Sequence, residues 1–256
     1  MKIWCQTGGP LSVPLSTYQQ TLKEHLQEVA SPDTIVDLRG VKQIVPGPDR
    51  YHSAQHVRNS WVIGNAIQAE REGYDAFAIV NTLDPGFYEV RELVDIPVAF
   101  IRESSLHLAC LLAPKFACVT HNSAMLLRQI ELANRYGLAQ RMTPGGQCNI
   151  SYAQFEDMDK NPKPYISAFT EKAREVIEQG ADILLISGNP LNMFLVNQGI
   201  REVDGVPILD STAAVIKTAE MMVDLKTVGI SRSKHGLYAP PSAEDLVAIR
   251  KLYTDE

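Results

Sequence analysis

Two short polar segments of this sequence are best suited to chemistry, because each directly follows an apolar run of strand length. Asn81-Thr82-Leu83-Asp84 comes after residues 76–80, and Ser187-Gly188-Asn189-Pro190 comes after residues 183–186. Asn81 can donate an amide hydrogen bond to an oxyanion, and Asp84 can act as a base. Backbone N–H groups at Gly188 and Asn189, beside a following helix, suit a carboxylate or a developing enolate. Asp84 also begins an Asp-Pro-Gly sequence, which is ordinary turn chemistry, so a turn role is the alternative.

An internal repeat places the two segments at equivalent points of the chain. Gly73 precedes Asn81 by the same distance as Gly180 precedes Gly188, and each half continues into a strand that contains a proline. Ligands of open parallel sheets bind beyond the carboxyl ends of the strands. We therefore expect two similar lobes related by a pseudo-twofold axis, with the segments as opposite walls of one site. A chance likeness between two βα units is the alternative.

Apolar runs without polar alternation predict strands that are covered on both faces. A first strand is expected before Gly8, and the other runs lie at 35–38, 76–80, 98–101, 116–119 and 183–186. Helical spacing predicts five helices. One begins after Ser16/Thr17, one has Val57, Trp61, Gly64 and Ile67 on one face, and the others run from 122 to 137, from 165 to 179 and from Ser242 onward. This alternation predicts an α/β protein of two pseudo-symmetric lobes, each a parallel sheet flanked by helices, with the active site between them. The expected lobes are residues 1–105 with 205–256, and residues 106–204.

Composition excludes several classes of protein. The 256 residues carry 24 Lys+Arg against 30 Asp+Glu, a net charge of −6, and 45% of them are hydrophobic. Mild acidity offers no footprint for nucleic acid. The longest uncharged apolar stretch, near 106–114, falls far short of the roughly 20 residues that cross a bilayer. The first eight residues lack the apolar core of a signal peptide. We expect a cytoplasmic protein that binds neither nucleic acid nor a membrane.

Familiar motifs for cofactors and metals are absent from the sequence. No dinucleotide fingerprint, P-loop or nucleophile elbow is present. His52 and His56 have the spacing of a helical metal pair, but a solvent-facing pair is the commoner case, so we expect neither metal nor cofactor. The four cysteines, Cys5, Cys110, Cys118 and Cys148, form no C-x-x-C pair, and we interpret them as small hydrophobic residues without disulfides.

Several motifs in order resemble the aspartate/glutamate/hydantoin racemase superfamily, most closely its hydantoin racemase branch. They are Glu72-Gly73-Tyr74-Asp75-Ala76, Asp84-Pro85-Gly86 and residues 91–98, 107–112, 116–120, 136–139, 205–210 and 229–234, which together span nearly the whole chain. The resemblance implies two pseudo-symmetric α/β lobes with the active site between them and cofactor-independent chemistry. Because relatives commonly form dimers or larger assemblies, it also implies a homo-oligomer.

The resemblance also implies a departure from the usual mechanism. Racemases of this family use two cysteines, one from each lobe: one thiolate removes the proton next to a carbonyl, and the other thiol returns a proton from the opposite face. The first cysteine position, three residues before Asp84, holds Asn81, and the matching position of the other lobe holds Gly188. Neither residue carries a proton at neutral pH. The resemblance therefore implies a member that does not racemise by the two-cysteine route.

Other candidate residues are assigned by the same resemblance. Gln6 and Thr7 match the end of the family's first strand, where a polar pair holds substrate oxygens. Tyr51 and His52 fall in a loop that contacts substrate, and Thr120 matches a residue after the fifth strand. His121 follows it, and histidine is the side-chain type best suited to carry protons near neutral pH, so His121, or else His52, is the expected proton carrier. For His121 the alternative is a histidine that only hydrogen-bonds backbone at a helix start. The predicted binding residues are Gln6, Thr7, Tyr51, Thr82, Thr120, Ser187, Gly188 and Asn189, and the predicted catalytic residues are His121, His52, Asn81 and Asp84.

These residues predict a cysteine-less enzyme of the superfamily that acts on a small carboxylate or a cyclic ureide such as a hydantoin. An enolate or oxyanion intermediate with histidine proton transfer fits isomerase, lyase and hydrolase outcomes alike. Two alternatives stay open. One is a hydantoin or amino-acid racemase that uses Cys5 as a relocated thiol, and the other is a ligand-binding member without catalysis.

Overall fold

Strands form at the apolar runs of the sequence in the computed structural model, which describes residues 1–12, 14–47 and 49–254. All five predicted internal runs and the N-terminal strand are confirmed. The strands are β1 (Lys2–Gln6), β2 (Ile35–Arg39), β3 (Ala76–Ile79), β4 (Val98–Phe100), β5 (Phe116–Thr120), β6 (Gly146–Gln147), β7 (Ile183–Ser187), β8 (Glu202–Val203) and β9 (Val206–Leu209). Every residue of β3, β5 and β7 is buried, as expected for strands covered on both faces. The same expectation is wrong for β2, in which only Val36 is buried and Ile35 is 60% exposed, because β2 lies at the edge of its sheet.

Helices occupy the predicted gaps between these strands. They are α1 (Thr17–Val29), α2 (His52–Arg71), α3 (Phe87–Leu93), α4 (Ile101–Leu112), α5 (Ser123–Arg135), α6 (Pro162–Glu178), α7 (Asn189–Asn197), α8 (Ser211–Thr227) and α9 (Ala243–Tyr253). Asn122 caps α5 by accepting a 2.8 Å hydrogen bond from the N–H of Met125, and Ser242 caps α9 in the same way from Asp245 at 3.2 Å. In the part of the chain that the structure describes, no helix combines the length and apolarity required to span a bilayer.

The predicted buried face of α2 is partly wrong. Val57 is 46% exposed, whereas Arg58, Val62 and Ala66 are buried. These three residues are four apart and therefore share one side of the helix. The prediction placed the apolar Val57 on the buried face. It left Arg58 out, because a charged side chain is ordinarily expected to be exposed.

Two sheets carry the strands. The first has the order β2-β1-β3-β4, with parallel neighbours throughout. The second has the order β6-β5-β7-β9-β8, in which only the β8–β9 pair is antiparallel. Asp204 and Gly205 join β8 to β9 with φ of 50° and 81°, the positive pair that a two-residue Asp-Gly hairpin requires. The α/β class is confirmed, but the second sheet is mixed.

The described residues form two compact units. The first unit comprises 1–11, 26–100 and the chain from 215 onward, and the second unit comprises 12–25 and 101–214. Residues 101–105 and 205–214, which the sequence-based division placed in the first lobe, group here with the second unit, as do residues 12–25.

The internal repeat has the same hydrogen bonds in both units. In the first unit Asp75 accepts from the N–H of Lys2 at 2.7 Å, and its own N–H donates to the Lys2 carbonyl at 2.8 Å. In the second unit Asp182 makes the same pair of bonds with Lys115, at 3.0 and 3.1 Å. The equivalence of these aspartates aligns β1 with β5 and β3 with β7. Residues 8 and 81 of the first unit therefore correspond to residues 121 and 188 of the second.

Candidate active site

The end of β1 is stabilised by internal hydrogen bonds of polar side chains. The buried carboxamide of Gln6 accepts from Trp4 Nε1 at 3.0 Å and from Asn65 Nδ2 at 2.8 Å, and it donates to the Thr7 carbonyl at 2.8 Å. The Thr7 hydroxyl donates to the Gly9 carbonyl at 2.6 Å. These bonds fix the backbone at Gly8 and Gly9. The substrate-binding roles expected of Gln6 and Thr7 stay predictions.

Asn81 lies directly over Gly8. The N–H of Leu83 donates to Asn81 Oδ1 at 3.1 Å, which turns the amide nitrogen toward Gly8. A β-carbon built on Gly8 would lie 1.9 Å from Asn81 Nδ2, far closer than two non-bonded heavy atoms can approach. The Asn81 carboxamide therefore fills the space in which a side chain of residue 8 would begin.

Asp84 ends one turn, which begins at Asn81, and begins a second turn over Pro85 and Gly86, as the Asp-Pro-Gly sequence indicates. Its N–H donates to the Asn81 carbonyl at 3.0 Å, and α3 begins just after Gly86. The Asp84 side chain is buried, as is that of Thr82, and its φ is +44°, a region that non-glycine residues rarely adopt. The turn interpretation is confirmed, while the role of Asp84 as a base stays a prediction.

The second unit has the reverse arrangement, in which the side chain follows the first of the two strands and the glycine follows the second. Thr120 and Ser187 are partners in the β5–β7 register, so the next residues, His121 and Gly188, are neighbours. A β-carbon built on Gly188 would lie 2.6 Å from His121 Nδ1 and 3.2 Å from its Cε1. Gly188 has a φ of +94°, a conformation that glycine adopts without strain. The imidazole of His121 therefore fills the space in which a side chain of residue 188 would begin.

The imidazole is buried beneath two aromatic rings. The ring centroids of Tyr152 and Phe155, in the short 3₁₀ helix Tyr152–Glu156, lie 5.2 and 5.3 Å from that of His121 in edge-on contact. His121 Nδ1 lies 3.4 Å from the carbonyl oxygen of Ser187. The structure thus brings His121, Ser187 and Gly188 together at one edge of the second sheet.

The other predicted residues of the second unit are hydrogen-bonded within it. The Thr120 hydroxyl donates to the Asn122 carbonyl at 2.8 Å, and the Ser187 hydroxyl accepts from Arg102 at 2.5 Å. Asn189 donates to the Tyr18 hydroxyl at 3.3 Å and accepts from the Thr212 hydroxyl at 3.1 Å. These bonds hold the Gly188 turn against α1 and α8. Substrate binding by Thr120, Ser187 and Asn189 stays a prediction.

A half-buried carboxylate beside this turn was missed by the sequence analysis. Asp210 accepts from the N–H groups of Thr212 and Ala213 at 3.0 and 3.1 Å, and its other oxygen lies 2.5 Å from His25 Nε2. Burial raises the pKa of Asp210, but the hydrogen bond and charge of His25, with bonds from Ala213 and Asn192, outweigh it and hold the pKa below its ordinary value. The sequence could have indicated this residue, because Asp210 directly precedes the helix α8 and aspartate is favoured at that position.

Tyr51 and His52 are placed differently from the expectation. Instead of lying in a loop, His52 is the first residue of α2 and Tyr51 directly precedes it, because helical hydrogen bonding begins at this point. Both side chains are exposed, as is that of His56. Among the described residues, no group of three or more His, Cys, Asp or Glu side chains could hold a metal ion.

The cysteines lie within strands and packed segments. Cys5 in β1 and Cys118 in β5 are buried, and burial raises the pKa of both thiols, with the charge of Arg102 opposing the effect at Cys118. Burial also raises the pKa of Cys148 to about 12, against the opposing charge of Lys172. Thiols with raised pKa supply little thiolate at neutral pH. The relocated use of Cys5 as a base is therefore disfavoured.

Comparison with known proteins identifies the family. Residues 16–219 match the family model described as Asp/Glu/Hydantoin racemase. The chain belongs to this family. It is 31% identical over 192 residues to a hydantoin racemase from Pseudomonas sp. (strain NS671), an alignment that covers 73% of this chain and 72% of that protein. The expected superfamily and its hydantoin racemase branch are both supported.

Solved structures of the family share the fold. An allantoin racemase from Klebsiella pneumoniae superposes with a TM-score of 0.80 at 23% identity, over 94% of each chain. An allantoin racemase from Pseudomonas fluorescens gives a TM-score of 0.79 at 20% identity, over 94% of this chain and 97% of that one. These likenesses confirm the α/β fold of this member of the Asp/Glu/hydantoin racemase family.

Proposed function

We propose that this family member transfers a proton at the carbon next to a carbonyl group of a small carboxylate or cyclic ureide, and that His121 carries the proton. The observation behind the proposal is that the His121 imidazole occupies the space of a side chain at residue 188. The family resemblance assigns the second catalytic side chain to that position. An imidazole removes and returns protons near neutral pH, so it is a chemically competent replacement for a thiol there.

The first unit offers a different group at the equivalent place. The Asn81 carboxamide fills that space, and an amide donates hydrogen bonds but does not carry a proton at neutral pH. Inversion requires a proton carrier on each face of the carbon. With one imidazole we propose a reaction without inversion, of the lyase or non-racemising isomerase type. In a hydrolase the same imidazole would instead remove a proton from a water molecule that attacks a carbonyl carbon.

Charge that develops during proton removal needs hydrogen-bond donors. The backbone N–H groups of Gly188 and Asn189 lie at the beginning of α7, where helix geometry favours negative charge. The rings of Tyr152 and Phe155 cover the imidazole, so we propose that the short helix Tyr152–Glu156 moves to admit substrate.

Racemisation is the second candidate, and the 31% identity to a hydantoin racemase favours it. It requires a further proton carrier besides His121. Cys5 is a poor one, since burial raises the pKa of its thiol. Asp84 is the remaining predicted base of the first unit.

Proton exchange in D₂O separates these functions. We expect enzyme incubated with a single enantiomer of 5-methylhydantoin or allantoin, or with an achiral 2-substituted malonate, to exchange the proton on the reacting carbon, or to convert the substrate, faster than the enzyme-free reaction by proton NMR. The unconverted 5-methylhydantoin or allantoin should keep the circular dichroism that reports its configuration. His121→Asn should slow the reaction by about 100-fold or more, the scale of general acid–base catalysis, and Cys5→Ser should leave it unchanged. Loss of circular dichroism at the rate of exchange would establish a racemase. No reaction with any of the three compounds would support the ligand-binding alternative.

A further inference from the structure

The first unit contains a buried arginine that the proposed proton transfer does not use. Arg58, on α2, is 3% exposed. Its Nη1 lies 3.4 Å from the point at which a side chain of Gly8 would begin, and Asn81 Nδ2 lies 1.9 Å from the same point. A guanidinium and a carboxamide nitrogen therefore converge on the backbone of one glycine.

The groups at this place are hydrogen-bond donors. The bond from the N–H of Leu83 to Asn81 Oδ1 directs the amide oxygen away from Gly8 and leaves the NH₂ toward it. Arginine has donors only. Such a set of donors, one of them charged, attracts oxygen atoms that carry negative charge.

The Gly8-Gly9 backbone adds to this set. Within the described ranges, neither glycine N–H donates a hydrogen bond, and both residues are half-buried. A β-carbon built on Gly9 would meet no atom within 4 Å, so there is room beside it for a ligand group. Consecutive backbone N–H groups in a turn are a common element of anion sites.

We infer that Gly8, Gly9, Arg58 and Asn81 form a binding site for the carboxylate of a small molecule, in which Arg58 provides the positive charge. A guanidinium matches a carboxylate in shape as well as charge, which makes Arg58 a specificity-determining residue for acids over their amides. The inference concerns the first unit alone and does not depend on proton transfer by His121.

Matched pairs of ligands test the site by isothermal titration calorimetry. Hydantoin-5-acetate is compared with hydantoin-5-acetamide, and succinate with succinamide, so that each pair differs in charge but hardly in shape. Because hydrogen bonds to charged groups are the stronger ones, we expect the acid of at least one pair to bind about 10-fold or more tightly than its amide. The succinate pair lacks a ureide ring. A preference for succinate over succinamide would therefore support this site even if the protein binds no ureide.

Arg58→Gln should abolish the preference for the acid, while Arg58→Lys keeps the charge and should retain part of it. Arg128→Gln is the matched control, since Arg128 is a buried arginine of the second unit, and it should keep the full preference.

If Arg58→Gln fails to fold, Asn81→Ala removes the neighbouring donor and should weaken acid binding alone. The inference is overturned if the wild type shows no preference in either pair. It is equally overturned if Arg58→Gln or Asn81→Ala lowers only the melting temperature, which would make Arg58 a structural residue of the first unit.

Discussion

At the scale of single residues, one side chain in each unit fills the space beside a glycine: Asn81 at Gly8, and His121 at Gly188. Asn81, Gly188 and His121 were all candidates from spacing and resemblance. Each glycine faces a side chain because of the register of β1 with β3 and of β5 with β7. Sequence patterns do not reveal that register. Arg58 was missed for a related reason, because a charged residue on a helix is ordinarily assigned to solvent.

The cysteines provide a test at the same scale. At pH 7.5 we expect iodoacetamide to modify the half-buried Cys110 before Cys5, Cys118 and Cys148. Burial restricts access to Cys5 and Cys118, and desolvation raises the pKa of all three thiols, including that of the half-buried Cys148. Peptide mass spectrometry after timed quenching measures the order, and protein in 6 M guanidinium, where all four should react, is the control. Rapid modification of Cys5 in the native protein would revive it as a relocated catalytic thiol.

At the scale of elements, the turn between β7 and α7 is constrained by two separate effects. Gly188 has a φ of +94°, and the imidazole of His121 occupies the place of its side chain. Gly180, between α6 and β7, has nearly the same φ of +96°, but a β-carbon there would meet nothing within 4 Å. Alanine at either glycine strains the backbone, but only at Gly188 does it also meet the imidazole, so removal of the imidazole separates the steric conflict from the strain.

We expect Gly180→Ala to cost about 1–2 kcal/mol of unfolding free energy, the strain of a left-handed alanine. Gly188→Ala should cost a further ~1–3 kcal/mol, because the methyl group overpacks the site. In a His121→Ala background this excess should disappear, as a double-mutant cycle would show. Urea unfolding followed by far-ultraviolet circular dichroism is the measurement, since Trp4 and Trp61 both belong to the first unit and fluorescence does not report on the second. Equal costs for the two alanines would show that His121 does not occupy this space in solution.

At the scale of the whole molecule, the order of strands and helices was predictable, since long apolar runs and helical periodicity are local signals. The short strands β6 and β8 were not predicted, because two residues are too few to show a pattern. The grouping of residues 12–25 with the second unit was not predictable either. It depends on tertiary contacts such as the pair between His25 and Asp210, which are 185 positions apart in the chain.

Each unit also contains a carboxylate, half-buried in Asp210 and buried in Glu220, whose pKa is lowered. Asp210 is the one in the second unit. In the first, burial raises the pKa of Glu220, but hydrogen bonds from Lys217, Ser31 and Thr34 outweigh it and hold the pKa below its ordinary value. A carboxylate with a lowered pKa stabilises the folded state above the pKa of the unfolded chain, about 4, and this contribution is lost as pH falls through the folded pKa.

Asp210→Asn and Glu220→Gln should therefore lower the urea midpoint at pH 7, and the difference from the wild type should shrink between about pH 4 and pH 2. Glu92 is the control of opposite sign, because burial and the charge of Glu89 raise its pKa. Its charged form is disfavoured in the folded state, so Glu92→Gln should raise the midpoint at pH 7 and leave it unchanged in acid. Fluorescence of Trp4 and Trp61 follows the first unit and circular dichroism follows both, so the two probes locate each effect. Deficits of Asp210→Asn and Glu220→Gln that stay constant down to pH 2 would show that these side chains act through packing and not through their charge.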